Sequence, residues 1–153
     1  MFFVLVAVAG VAWLYSGQLT APMMLAGLVV GLPASAVLTI NNLRDLSGDR
    51  QAGRRTLAIL LGRVGSVRAI AILLGLVAPA LVALAFWGRP WSGALLALPV
   101  LALAPGILRR LRFPITAEAC NANLKRTTRF QLMLSLVMSA GMILIAHLNG
   151  TLT

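Results

Sequence analysis

Two acidic residues stand four positions apart in a short polar segment of an otherwise apolar chain. The segment NNLRDLSGDRQAGRRTLAILLG runs from Asn41 to Gly62 and holds two of the three acidic residues of the chain, Asp45 and Asp49. Because Asn41, Asp45 and Asp49 recur at every fourth position, a helix that continues past Ile40 would carry all three on one face. Mg²⁺ prefers oxygen ligands and often takes only one or two carboxylates from a protein, with water and substrate phosphate completing its shell. Such a face therefore suits a hard cation.

Arginines surround this face and suit a phosphate group. The guanidinium is planar and presents forked N–H donors that match phosphate oxygens. The arginines are Arg44, Arg50, Arg54 and Arg55. The alternative is that the two aspartates only pair with neighbouring arginines in a solvated loop, where such pairs contribute about 0–1 kcal/mol. Gly48 and Gly53 favour turns, so we expect the helix that carries Asn41 and Asp45 to end near Leu46.

The composition around this segment excludes a soluble globular domain. The chain is 60% hydrophobic and 10% charged, with a mean hydropathy of +0.97, whereas about a quarter of the residues in an average soluble domain are charged. A net charge of +10 would in a soluble protein suggest nucleic-acid binding. Here the basic residues lie at the ends of apolar stretches, so we expect no nucleic-acid partner. A carrier is disfavoured because the apolar stretches are almost free of ionisable residues.

Apolar stretches of about 20 residues predict an all-α, polytopic membrane helix bundle with about five transmembrane helices. They run from Met1 to about Leu19, Pro22 to Ile40, Val67 to Trp87, Trp91 to Leu108, and Phe130 to Leu148. The first is marginal, because Met1 to Tyr15 reaches only about 22 Å of the roughly 30 Å hydrocarbon core. Gly27 and Gly31 have the small-xxx-small spacing that lets another helix approach closely. We expect residues 1–153 to form one membrane domain, with the aspartate motif in a loop over residues 41–66.

The distribution of positive charge predicts an orientation. Twelve of the 13 basic residues lie in or beside the two long connections, after the second and fourth spans, and only Arg89 lies on the other side. Lys and Arg near span ends are retained in the cytoplasm. We therefore expect a bacterial inner (cytoplasmic) membrane protein with both long connections and the N-terminus in the cytoplasm and the C-terminus outside.

The polar segment resembles a motif of the UbiA-type intramembrane aromatic prenyltransferases. It is similar to the second aspartate-rich motif of the branch that prenylates 1,4-dihydroxy-2-naphthoate in menaquinone biosynthesis, N-N-x-R-D-x-x-x-D-x-x-x-G-[KR]-x-T-L-x-x-x-L-G. The pattern is met by Asn41, Asn42, Arg44, Asp45, Asp49, Gly53, Arg54, Thr56, Leu57, Leu61 and Gly62. The stretch LKRTTRFQL, residues 124–132, also resembles the entry to the last helix of the family.

The resemblance implies a nine-helix bundle in which two aspartate-rich motifs face each other and bind a polyprenyl diphosphate through Mg²⁺, with this chain corresponding to helices five to nine. It implies transfer of the polyprenyl group from an allylic polyprenyl diphosphate to an aromatic acceptor, 1,4-dihydroxy-2-naphthoate. Asp45 and Asp49 are then the catalytic, metal-holding residues, and Asn41 is an auxiliary ligand. The implied diphosphate contacts are Arg44, Arg50, Arg54 and Arg55, with Lys125 and Arg126 of the second long connection as further candidates.

The sequence holds one aspartate motif where the resemblance implies two. We therefore expect a fragment or split half that is inactive or nearly so alone, with a partner chain supplying the missing N-terminal helices and the first motif. The alternative is a non-catalytic membrane module that binds a lipid diphosphate or a membrane partner. Replacing Asp45 or Asp49 by Ala should abolish Mg²⁺-dependent prenyl transfer in the first case and leave binding unchanged in the second.

Overall fold

The computed structural model describes residues 2–111 and 116–148, and every regular element in them is helical. In chain order the elements are α1 (Phe2–Ser16), α2 (Ala21–Arg44), α3 (Leu46–Gln51), α4 (Leu57–Gly75), α5 (Val77–Ala85), a 3-10 helix (Trp91–Leu103), α6 (Ala104–Arg109) and α7 (Ala117–Leu148). The all-α class predicted from the apolar stretches is confirmed for this part of the chain.

Four helical stretches are long and apolar enough to cross a membrane. They are Ala21–Arg44, Leu57–Ala85, Trp91–Arg109 and Ala117–Leu148. The remaining predicted span, from Met1 to about Leu19, corresponds to α1, whose 15 residues are fewer than the roughly 20 that a span needs. The polytopic helix bundle is thus confirmed, with four helices rather than five that meet the length of a span within the described residues.

The helices extend beyond the apolar stretches that predicted them. The third begins at Leu57 instead of Val67, and the last begins at Ala117 instead of Phe130. Residues 41–66, which we expected to form a loop, are consequently helical except at Asp45 and over residues 52–56. Hydropathy detects only the part of a helix that suits the lipid, whereas the backbone hydrogen bonds of a helix continue into the polar region outside it.

Helix α2 lies at the centre of the bundle, because α1, α4, α5 and α7 all pack against it. Among the fully buried core residues are Val29, Ala36 and Ile40 of α2, Ile70 of α4, Leu81 of α5 and Leu134 of α7. Gly27 and Gly31 are also buried in α2, as expected of a packing face. Lipid is as apolar as these side chains, so close packing rather than the hydrophobic effect holds such helices together.

The 3-10 helix and α7 approach each other closely where two glycines meet. A Cβ atom on Gly93 would overlap the backbone carbonyl of Gly141, and one on Gly141 would overlap the carbonyl oxygen of Gly93. Neither position can accept a larger residue unless the two helices move apart. The contact fixes α7 against the 3-10 helix.

Two of the spans are interrupted close to proline residues. Pro79 lacks an N–H, and its ring opposes the carbonyl four residues earlier, at Gly75, where α4 ends and α5 follows after Leu76. The 3-10 helix contains Pro99 and gives way to α6 at Ala104. Pro33 instead lies inside the uninterrupted helix α2.

Candidate functional site

The aspartate motif begins where α2 ends. Helix α2 ends at Arg44, slightly before the expected end near Leu46, and α3 continues the chain to Gln51. Helical hydrogen bonds nevertheless cross the junction, because the Asp45 N–H donates to the Asn41 carbonyl at 3.1 Å and the Asp49 N–H donates to the Asp45 carbonyl at 2.9 Å. The four-residue spacing therefore continues in helical geometry through the junction. It places the side chains of Asn41, Asp45 and Asp49 along one side of the helical path.

The two carboxylates lie in different surroundings. The Asp45 side chain is 43% exposed, whereas that of Asp49 is 7% exposed. A buried carboxylate needs a hydrogen-bonding or ionic partner, because water no longer solvates it. Both carboxylates have an arginine partner.

Arg44 holds Asp45 with two parallel hydrogen bonds. The Arg44 Nε donates to Asp45 Oδ1 at 2.7 Å, and Nη2 donates to Oδ2 at 2.8 Å. These hydrogen bonds lower the pKa of the Asp45 carboxyl below its ordinary value of 3.8. The third donor, Arg44 Nη1, reaches Asn121 Oδ1 at 3.1 Å, near the start of α7. One guanidinium thus connects the aspartate motif to the last helix.

Arg54 holds Asp49 from the far side of a tight turn. The Arg54 Nη1 donates to Asp49 Oδ1 at 3.0 Å, and the Arg54 backbone N–H donates to the Asp49 carbonyl at 2.9 Å. The chain reverses at Gly53, whose φ of 67° is a conformation that a residue with a Cβ rarely adopts. Gly53 is thus a turn residue as predicted, but the turn predicted at Gly48 is wrong, because this residue lies within α3.

The rest of the motif shapes the start of α4. Thr56 is extended and precedes the helix, and its Oγ1 is buried with no hydrogen-bond partner among the described residues. Gly62 has a φ of 65° and a ψ of −176°, which kinks α4 and requires glycine. The glycines at positions 53 and 62 of the motif are therefore explained by backbone conformation.

The other residues predicted to contact the diphosphate take no part in these two ion pairs. Arg50 and Arg55 are exposed and make no ion pair within the described residues. Lys125 and Arg126, which we expected in a connection, lie on α7. Across the described ranges, no hydrogen bond or ion pair joins Lys125 or Arg126 to the aspartates.

Sequence reasoning missed the contribution of the start of α7. Asn121 contacts Arg44, and Asn123 is fully buried with neither amide atom hydrogen-bonded to any described residue. The signal was available, since Cys120, Asn123 and Thr127 recur at the spacing of one helix face that continues into the apolar part of α7.

The donor set fits a magnesium ion better than a softer metal. Within residues 2–111 and 116–148, no group of three or more His, Cys, Asp and Glu side chains could share a metal ion. Two carboxylates with an amide oxygen are, however, the small protein contribution that Mg²⁺ takes when phosphate and water supply the remaining ligands.

Comparison with known proteins identifies the family. The sequence pattern of the UbiA prenyltransferase family matches residues 1–132. The chain belongs to the UbiA prenyltransferase family. With its four long apolar helices, this UbiA-family chain is an integral membrane protein.

Three curated relatives extend this finding. The chain is 36% identical to the 1,4-dihydroxy-2-naphthoate octaprenyltransferase of Escherichia coli (strain K12) over 147 residues, which are 94% of this chain and 47% of the relative. It is 45% identical over 62 residues to the protein of the same name from Haemophilus influenzae (strain ATCC 51907 / DSM 11121 / KW20 / Rd), which are 40% of this chain and 20% of the relative. It is 26% identical over 120 residues to the bacteriochlorophyll synthase 34 kDa chain of Chloroflexus aurantiacus (strain ATCC 29366 / DSM 635 / J-10-fl), covering 75% of this chain and 39% of the relative.

The chain spans less than half the length of each of these relatives. No solved structure matches it. These comparisons confirm the resemblance to the UbiA family, which was based on the aspartate motif.

Proposed function

We propose that this UbiA-family chain takes part in transferring a polyprenyl group from an allylic polyprenyl diphosphate to an aromatic acceptor. The acceptor we propose is 1,4-dihydroxy-2-naphthoate, in menaquinone biosynthesis, because two relatives carry that substrate in their names. The observation that carries the proposal is the pair of carboxylates at the end of α2, each held by an arginine.

The aspartates are proposed to hold Mg²⁺ and the arginines the diphosphate. Asp45 and Asp49 offer carboxylates on successive turns, and Asn41 offers an amide oxygen one turn earlier. Mg²⁺ bound there would neutralise the negative charge that develops on a departing diphosphate.

The arginine pairings support a change of partner when substrate binds. Arg54 is 71% exposed although it pairs with the buried Asp49, so its guanidinium can turn towards a phosphate provided that Mg²⁺ is bound to the carboxylate in its place. Arg44 stays positioned by Asn121 of α7. The exposed Arg50 and Arg55 add positive charge at the same end of the bundle, which favours a diphosphate over a neutral lipid.

Transfer by the complete protein is proposed to need a second group of carboxylates. The sequence has two aspartates, both in this motif, and one glutamate, Glu118. The first aspartate-rich motif, which the family resemblance implies, would come from residues outside these 153, in the same protein or a partner chain. Residues 1–153 are proposed to act as one membrane domain within that assembly.

We also propose that the end of the bundle that carries the motif faces the cytoplasm of a bacterial cell, in the inner membrane. In the sequence, twelve of the 13 basic residues lie in or beside the two long connections, and the hydrogen bond from Arg44 to Asn121 joins the two connections at this end. In a Cys120→Ser background, labelling of Ser47→Cys by an impermeant maleimide in intact cells would contradict this orientation.

Prenyl transfer in membranes tests the proposal. The chain would be expressed with the portion of the Escherichia coli relative that it does not match, in a strain that lacks its own enzyme. The membranes would receive labelled octaprenyl diphosphate, 1,4-dihydroxy-2-naphthoate and Mg²⁺. We expect Asp45→Asn and Asp49→Asn each to lower product formation by about 100-fold, while Ser47→Ala, an exposed position between them, leaves it unchanged.

The assay also separates the two functions that the sequence left open. Product formation that persists in both aspartate variants would contradict the proposed roles. Absence of product in every membrane, with retained binding of the diphosphate substrate, would instead support the non-catalytic membrane module.

A further inference from the structure

A cavity lies between α6 and α7. Its volume is about 350 Å³. Its basic lining consists of Arg110, just after α6, and Arg126 and Arg129 of α7. Its apolar lining includes Ile107, Phe130 and Met133, of which Ile107 and Phe130 are buried and form the floor.

The cavity is basic at one end and apolar at the other. Helix α6 ends at the basic end of the bundle, and α7 begins at the same end. Arg110 therefore follows the apolar residues of α6, whereas Arg126 and Arg129 precede those of α7, which places all three guanidinium-bearing residues at the same end. This polarity matches a molecule with an anionic head and an apolar tail.

An exposed stripe continues the cavity along α7. Residues 126, 129, 133, 136 and 143 recur at the spacing of one helix face. After the two arginines the stripe is apolar, and Met133, Leu136 and Ile143 are 47%, 61% and 61% exposed. An acyl chain whose head group lies among the arginines would thus pack against the apolar side chains of this stripe.

The arginines of the cavity have no acidic partner among the residues that the structure describes. The chain has three acidic residues, and two of them are paired with Arg44 and Arg54. No described Asp or Glu forms an ion pair with Arg110, Arg126 or Arg129. The Nη1 of Arg126 is also buried without a hydrogen-bond partner among the described residues. A buried N–H of a charged group costs free energy unless an acceptor reaches it.

We propose that this cavity binds an anionic phospholipid, with the phosphate among Arg110, Arg126 and Arg129 and an acyl chain along the apolar stripe of α7. Basic cavities between transmembrane helices bind anionic lipid head groups, because their positive charges attract the phosphate. The phosphate would accept hydrogen bonds from the guanidinium groups, including the buried Nη1 of Arg126. The site differs from the aspartate motif, which uses Arg44 and Arg54.

Native mass spectrometry of the purified chain in neutral detergent tests the site. The chain would be titrated with phosphatidylglycerol and with phosphatidylcholine that carries the same acyl chains. We expect phosphatidylglycerol to bind more tightly, and Arg126→Gln or Arg129→Gln to weaken its binding by about fivefold each. Arg126→Lys, which keeps the charge, should retain most of the affinity.

Matched controls decide whether the cavity itself is responsible. Arg109→Gln removes the same charge next to Arg110 at an exposed position that does not line the cavity, and it should leave binding unchanged. Equal binding of the two lipids, or equal losses in the Arg109 and Arg126 variants, would overturn the proposal. Displacement of the lipid by soluble glycerol phosphate would overturn it too, because it would indicate a free-phosphate site.

The aspartate variants separate this site from the proposed enzymatic function. Asp45→Asn should leave phosphatidylglycerol binding intact even if it abolishes prenyl transfer. Loss of lipid binding in that variant would mean that the lipid occupies the aspartate motif and would overturn the proposed cavity site.

Discussion

At the scale of single residues, two aspartates four positions apart have acquired different environments. Asp45 is partly exposed and held by its sequence neighbour Arg44, while Asp49 is buried and held by Arg54 across a turn. The sequence indicated both carboxylates and a set of arginines beside them. It could not indicate which arginine pairs with which carboxylate, or that Asn121 joins from a distant part of the chain, because these contacts depend on how the turn and α7 fold back.

The contact between Arg44 and Asp45 predicts a pH dependence. A carboxyl whose pKa is lowered by folding contributes stability above its unfolded pKa, here 3.8, and loses it as the pH falls through the lower folded pKa. Arg44→Gln should therefore raise the pKa of Asp45 towards 3.8 and remove that contribution. Carbon NMR of labelled aspartate in an Asp49→Asn background, where Asp45 is the only aspartate, follows the titration directly. Identical titration of Asp45 with and without Arg44 would show that the contact does not form in solution.

At the scale of helices, the apolar stretches located the four long helices but not their polar ends. Helices α4 and α7 both begin well before the residues that suit lipid; Thr56 directly precedes the extension of α4, and the extension of α7 carries Asn121 and Asn123. Hydropathy could not find them, since a helix outside the hydrocarbon region has no need of apolar residues. The pairing of Gly93 with Gly141 was also beyond the sequence, because the two glycines lie on different helices and share no local pattern.

The contact of Gly93 with Gly141 predicts that a methyl group added at either position destabilises the bundle. Gly93→Ala or Gly141→Ala should lower the free energy of unfolding by about 1–3 kcal/mol or more, because the added Cβ overlaps backbone rather than a flexible side chain. Gly75→Ala is the matched control, since its Cβ would meet no atom within 4 Å. Thermal unfolding in detergent, followed by circular dichroism, compares the three variants. Equal stability of all three would contradict the close packing of α7 against the 3-10 helix.

At the scale of the whole molecule, composition and one motif were enough to predict a helical membrane bundle and the family. The order of packing was not predictable. Helix α2 packs mainly against α1, α4, α5 and α7, and nothing in its own sequence states that these helices are its neighbours. Because the chain spans less than half the length of its relatives, the part of the proposed function that can be tested on this chain alone is binding of a prenyl diphosphate through Mg²⁺ at the aspartate motif.

The most direct test is equilibrium binding of an unreactive prenyl thiodiphosphate to the purified chain in detergent, with Mg²⁺ or with a chelator. We expect binding to require Mg²⁺ and to weaken by about tenfold or more in Asp45→Asn and in Asp49→Asn, because each variant removes one of the charged ligands proposed for the metal. Ser47→Ala should bind like the unaltered chain. Binding of equal strength with the chelator present and in both aspartate variants would contradict the proposed role of the aspartate motif.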